Sequence, residues 1–131
     1  MIVRLLATLT LAVALCGNLH AQSPSPTPFE FDQFILVLLV RPTNPPEFPK
    51  EQLDEMQKQH IANIERLARE GKMLKAGPTE DYSGRNVRGI FILKTESVDE
   101  ARDWIKDDVF VKTGRLVPEC MKWFVEKGSL K

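Results

Sequence analysis

The chain is short of the residues that most often carry chemistry. Its 131 residues include two histidines, two cysteines and one tyrosine. It has no excess of either charge, with 18 basic and 18 acidic residues, so nothing marks it for a nucleic-acid backbone. A phosphate-cradling loop and a dinucleotide fingerprint are both missing; Gly71, Gly77 and Gly84 are isolated punctuation. The histidines and carboxylates show no metal-ligating spacing, and beyond one histidine able to serve as an axial ligand there is no sign of haem. The apolar run near the start is too short for a comfortable membrane span. These absences argue against a cofactor or metal and leave acid-base chemistry on a small molecule, ligand binding or a structural role.

Arg4, the uncharged run Leu5 to Cys16 and the sequence Leu19-His20-Ala21 predict a secretory signal peptide over residues 1–21, cleaved after Ala21. The mature protein is then periplasmic or secreted. An alternative is lipid attachment at Cys16, against which stands the bulk of Leu15 just before it. Residues 22–32, with SPSPTP at Ser23 to Pro28, read as a Pro/Ser-rich spacer. One domain is expected over 33–127, with a tail at 128–131; the length suits one small core and not two. Cys120 is then the last cysteine, so no internal disulfide can form, and its apolar surroundings predict a buried thiol.

Phe34 to Val40, FILVLLV, predicts a central strand buried on both faces. Arg41 to Pro49 holds four prolines and predicts a rigid loop. Leu53, Met56, His60, Ile64 and Leu67 then share one face of a long helix that stops at Gly71. Met73 to Ala76 predicts a short strand closed by Gly77-Pro78, Thr79 to Asn86 a hairpin-like connection, and Val87 to Lys94 the next strand. Gly89 there marks a bulge, a close backbone approach or merely a tolerated glycine. Ser97 and Glu100 form a capping box for a second helix with Val98, Ala101 and Ile105 inward. Val109 to Val111 predicts a short turn or helical piece, and Leu116 to Val125 the last strand, with Pro118 irregular or at an edge.

The order strand, helix, strand, strand, helix, strand predicts an α+β fold of the ferredoxin-like βαββαβ kind, with both helices on one face of a four-stranded antiparallel sheet. Apolar residues of both parities in the central strands predict that the other face is covered too, most economically by a homodimer formed through the sheets.

His60 is the main candidate for chemistry, although its place on an apolar stripe equally suits a satisfied core histidine. Thr79 and Ser83 read as turn residues. Tyr82 can either meet a ligand or lie in solvent, and Arg88 can either meet an anionic substrate or make a surface ion pair.

FILVLLV followed by His60, EGKMLKAGP at Glu70 to Pro78, RGIFIL at Arg88 to Leu93 and DDVFVKTGRL at Asp107 to Leu116, in that order and spacing, resemble the YCII-related domain family. The resemblance implies a dimeric protein of the ferredoxin-like, α/β-barrel superfamily. It also implies a cleft in which His60 and an aspartate lie together as a catalytic pair. Counting back from Gly114 assigns that aspartate to Asp108, with Asp107 as the alternative, and Val109 stands where the family usually has proline. Relatives include a dehydrochlorinase of chlorinated hydroxyquinones, and the wider superfamily includes muconolactone isomerases. The implied function is acid-base catalysis of lyase, isomerase or hydrolase type on a small organic molecule. The alternatives are a non-catalytic ligand binder and a structural homodimer.

Overall fold

The run FILVLLV forms the heart of a strand, as its apolar, branched composition requires. In the computed structural model, which describes residues 28–131, this strand is β1 (Phe31–Val40). It is followed by α1 (Lys50–Arg69), β2 (Met73–Pro78), β3 (Val87–Leu93), α2 (Val98–Ile105), the single-turn α3 (Val109–Lys112) and β4 (Val117–Glu126). The sheet runs β2-β3-β1-β4 with every neighbouring pair antiparallel. This is the split βαβ order expected of a ferredoxin-like plait with flanking helices. β1 starts at Phe31, earlier than its apolar run, because Asp32 and Gln33 pair with Val125 and Phe124 of β4. Ladder hydrogen bonds need backbone, not apolar side chains.

Alternate residues of β1 and β3 point to opposite faces. Ile35, Val37, Leu39, Phe91 and Leu93 are buried in the main core. Against them pack Met56 and Leu67 from α1 and Ala101 and Ile105 from α2, the residues the helical periodicity had selected. α1 ends in a Schellman motif: Lys72 N–H donates to Leu67 O and Gly71 N–H to Ala68 O, with Gly71 at φ 71°. At α2 the expected capping box is only half formed. Glu100 N–H donates to Ser97 Oγ at 3.2 Å, but the Ser97 N–H donates to Thr95 Oγ1, and the Thr95 hydroxyl donates to Glu100. Thr95 therefore stands between the two halves of the box.

The opposite face carries Leu36, Leu38, Ile90 and Met121, all at least partly exposed. β2 and β4 end the sheet, so it is open and not closed into a barrel. The α/β-barrel expectation is corrected accordingly: the edge strands β2 and β4 have no strand between them to pair both. The expected signal peptide, the lipidation alternative at Cys16 and most of the spacer lie outside the described residues, and neither fold nor comparison supports a periplasmic location. No described helix is long and apolar enough to cross a membrane.

Gly89 serves both of the special roles considered for it. The β1–β3 register steps from Leu39↔Gly89 to Val40↔Val87, so Arg88 is the extra residue of a bulge. On the other side β2 approaches so closely that a Cβ at position 89 would lie 3.0 Å from Gly77 O. Backbone cannot move aside as a flexible side chain would. Gly89→Val is expected to lower the unfolding free energy by about 2 kcal/mol, measured by urea denaturation. An unchanged midpoint would contradict the close-approach account.

Candidate functional site

His60 and Asn63 are three residues apart on α1, a spacing that puts both side chains on one helical face. Asp108 comes to them from the turn between α2 and α3. It is held there because it is the N-cap of α3, its Oδ1 accepting from Phe110 N–H at 3.1 Å. The other oxygen, Oδ2, lies 2.7 Å from His60 Nδ1 and 3.1 Å from Asn63 Nδ2. Asp108 is fully buried, whereas the His60 side chain retains 11% of its exposure. A buried carboxylate without partners would be costly, and three donors from α1 and α3 satisfy this one.

The hydrogen bonds also fix which atoms carry protons. Arg66 donates to Asn63 Oδ1 at 2.8 Å, which turns the Asn63 amide nitrogen toward Asp108. Since a carboxylate can only accept, His60 Nδ1 is the donor and carries the ring proton of the neutral imidazole. Nε2 has no protein partner among the described residues. The ring is stacked near Phe91, with centroids 5.8 Å apart, and lies 5.1 Å from the ring of Phe110. The aromatic walls restrict the imidazole and Asp108 orients it.

His60 opens on a cavity of about 650 Å³, within the range that takes a small organic molecule. Leu53, Ile61, Ile64 and Leu116 supply apolar wall, and the backbone at Gly77, Pro78 and Gly89 closes one side. Arg41, Arg88 and Arg115 also line it. No three of His, Cys, Asp and Glu converge to hold a metal among the described residues.

Of the two adjacent aspartates, Asp108 is the one brought to His60, while Asp107 is exposed. The other candidates fall elsewhere. Thr79 Oγ1 donates to Val87 O, and Ser83 N–H donates to Asp81 Oδ1, so both belong to the β2–β3 turn. Tyr82 is 88% exposed and does not line the cavity. Cys120 is half-buried on β4, not fully buried, and desolvation raises its thiol pKa, leaving it a poor nucleophile at neutral pH. Arg88 makes no ion pair among the described residues, contrary to the surface-pair alternative. Sequence reasoning missed Asn63, Arg41 and Arg115. The three-residue step from His60 was a usable signal for Asn63; nothing local announced the two arginines.

Asp108→Ala removes the acceptor from three donors at once, and an unfolding loss of about 3–5 kcal/mol is expected. Asn63→Ala, which leaves the His60 contact in place, is expected to cost about 1 kcal/mol. Urea denaturation of both variants checks the ranking, and an Asp108→Ala loss no larger than that of Asn63→Ala would contradict it.

No curated protein matches the chain. Among solved structures, 5-chloro-2-hydroxyhydroquinone dehydrochlorinase from Burkholderia phenoliruptrix, in complex with 2,5-dihydroxybenzoquinone, is 22% identical with a TM-score of 0.45, covering 74% of this chain and 96% of that chain. A dimeric ferredoxin-like protein of unknown function from Bacteroides fragilis is 14% identical with a TM-score of 0.43, covering 73% of this chain and all of that chain. These likenesses are too slight to carry chemistry across. The profile of the YCII-related domain, however, matches residues 35–123, from β1 through the His60–Asp108 site into β4, and the chain belongs to that family.

Proposed function

We propose that the protein is an acid-base catalyst acting on a small organic molecule, with His60 as the proton-transfer group and Asp108 as its positioning partner. The observation that carries this reading is the 2.7 Å contact from buried Asp108 to Nδ1 of His60, a residue that lines the cavity. With Nδ1–H committed to Asp108, Nε2 is the nitrogen able to take a proton from a ligand's activated carbon or hydroxyl. The resulting imidazolium is stabilised by Asp108, and Nε2–H can return the proton at a second position or to a leaving group. Abstraction and return at different positions is isomerisation; abstraction with loss of a neighbouring group is elimination. Among the described residues no serine, threonine, cysteine or lysine lines the cavity and its one carboxylate, Asp54, is paired with Lys50, which favours these two over hydrolysis through a covalent intermediate.

A panel of small carbon acids incubated in D2O and read by mass spectrometry tests the proposal. Uptake of solvent deuterium is expected for at least one compound, falling about 10²–10⁴-fold in His60→Gln. Uptake that persists in that variant, or none across the panel, would overturn it.

We also propose that the protein acts as a homodimer formed through the open sheet face. Leu36, Leu38, Ile90 and Met121 give that face an apolar strip crossing three strands, β3, β1 and β4, and a second copy offers the same strip for burial. Sedimentation equilibrium is expected to give twice the chain mass for the native protein and the single mass for Leu38→Asp with its helical circular dichroism retained. A native protein that sediments as a monomer would contradict the dimer.

A further inference from the structure

The cavity contains an electrostatic feature that proton transfer by His60 does not use. Arg41 follows β1, Arg88 is the extra residue of the β3 bulge and Arg115 lies between α3 and β4, yet all three line the same cavity. None of them makes an ion pair among the described residues, although lysines and other arginines form nine ion pairs with carboxylates there. Arg115 spends one nitrogen on Pro46 O at 2.6 Å. The Nε of Arg41 is buried with no hydrogen-bond partner. Asp54, the one carboxylate lining the cavity among the described residues, is paired with Lys50 at 2.5 Å, and buried Asp108 is held by His60, Asn63 and the Phe110 amide. Burial first, then the charges of Arg88 and Arg115, lower the pKa of Arg41, so an unbalanced positive field lies within a partly apolar cavity.

We infer that the ligand of this cavity is a small organic anion, with a carboxylate held by Arg41, Arg88 and Arg115 and an apolar body against Phe110, Leu116 and Ile64. The inference rests on the acid-base reading only for what happens after binding. Guanidinium groups match a planar carboxylate by paired, charge-assisted hydrogen bonds. The apolar wall suits a carbon skeleton and leaves inorganic phosphate or sulfate without a partner for most of the cavity. A negative group on the arginines also has a chemical consequence. An enolate formed when His60 removes a proton would develop its charge in the same positive field, so the arginines stabilise the transition state more than the bound ground state, in which that charge has not yet developed. The β3 bulge is then part of the site: it is the local irregularity at which Arg88 joins the cavity wall beside Gly89.

Benzoate and its neutral isostere benzamide are suitable probes, titrated at low salt into uniformly 15N-labelled protein and followed by amide chemical shifts. Saturable benzoate binding that perturbs the Phe110 and Leu116 amides is expected, with benzamide weaker by about tenfold or more. Arg88 is exposed, so Arg88→Gln is expected to fold normally and to weaken benzoate about tenfold while leaving benzamide unchanged. Arg41→Gln is expected to do the same. Equal binding of the two probes, benzoate binding indifferent to both substitutions, or no benzoate binding would each overturn the inference. The outcome is separable from that of the acid-base proposal. Arginine-dependent benzoate binding without His60-dependent deuterium uptake in any carbon acid sinks only the catalytic reading. His60-dependent uptake that is equally fast for carboxylates and for their amides sinks only the anion.

Discussion

A fully buried carboxylate organises the functional half of this protein. Asp108 can stay in the interior only while donors surround it, and those donors come from two separate parts of the chain: the first turn of α3 and the middle of α1. The same oxygen atoms therefore cap a four-residue helix, tie that helix to α1 and choose the proton-bearing nitrogen of His60. Removing the carboxylate takes the acceptor from all three donors at once, which is the behaviour of a network and not of a pair. The network continues outward: Arg66 fixes the Asn63 amide and bonds to Glu70, and Glu70 bonds to Lys72 at the helix end. Lys72 and Arg66 together hold the Glu70 carboxyl pKa below its ordinary value. α1 is thus positioned by polar contacts on one side as well as by its apolar stripe.

The sheet supplies what the network cannot, namely a space in front of the imidazole. β1 and β3 carry Leu39 and Phe91 to the cavity wall, and β2 comes close to β3 because Gly89 leaves room for the backbone of Gly77. Neither glycine closes the wall with a side chain. A larger residue at position 89 would push β2 outward and widen or collapse the wall. The bulge beside it belongs to the same local solution, since a regular ladder would send Arg88 to the face opposite Gly89's neighbours. The step from fold to chemistry is therefore short: one irregularity in a central ladder shapes the wall that His60 faces.

Much of this was readable in the sequence because the relevant signals are periodic or rigid. The stripe Leu53, Met56, His60, Ile64 and Leu67 identified the inner face of α1, Gly71 its stop, and FILVLLV the buried strand, since each rests on short-range geometry. The His60–Asp108 partnership was accessible only through the family resemblance, for 48 residues separate the two and no local pattern joins them. Counting back from Gly114 assigned the family aspartate to Asp108 with Asp107 as the alternative, and only the backbone shows which of the two caps α3. Thr95 entering the capping box, and Arg41 and Arg115 meeting Arg88, depend on how separate loops pack, which no period encodes. The open sheet also departs from the barrel that the superfamily name implies, because barrel closure is a property of edge pairing and the edges here are β2 and β4.

The central claim is that Asp108 holds His60 with its proton on Nδ1 and its lone pair on Nε2. A long-range 1H–15N correlation spectrum of the imidazole, recorded on the alkaline side of its titration, reads this directly. The account predicts a protonated Nδ1 and an unprotonated Nε2 for His60, with the pattern lost in Asp108→Asn. A spectrum showing Nε2 protonated, or the two tautomers in comparable amounts, would contradict it.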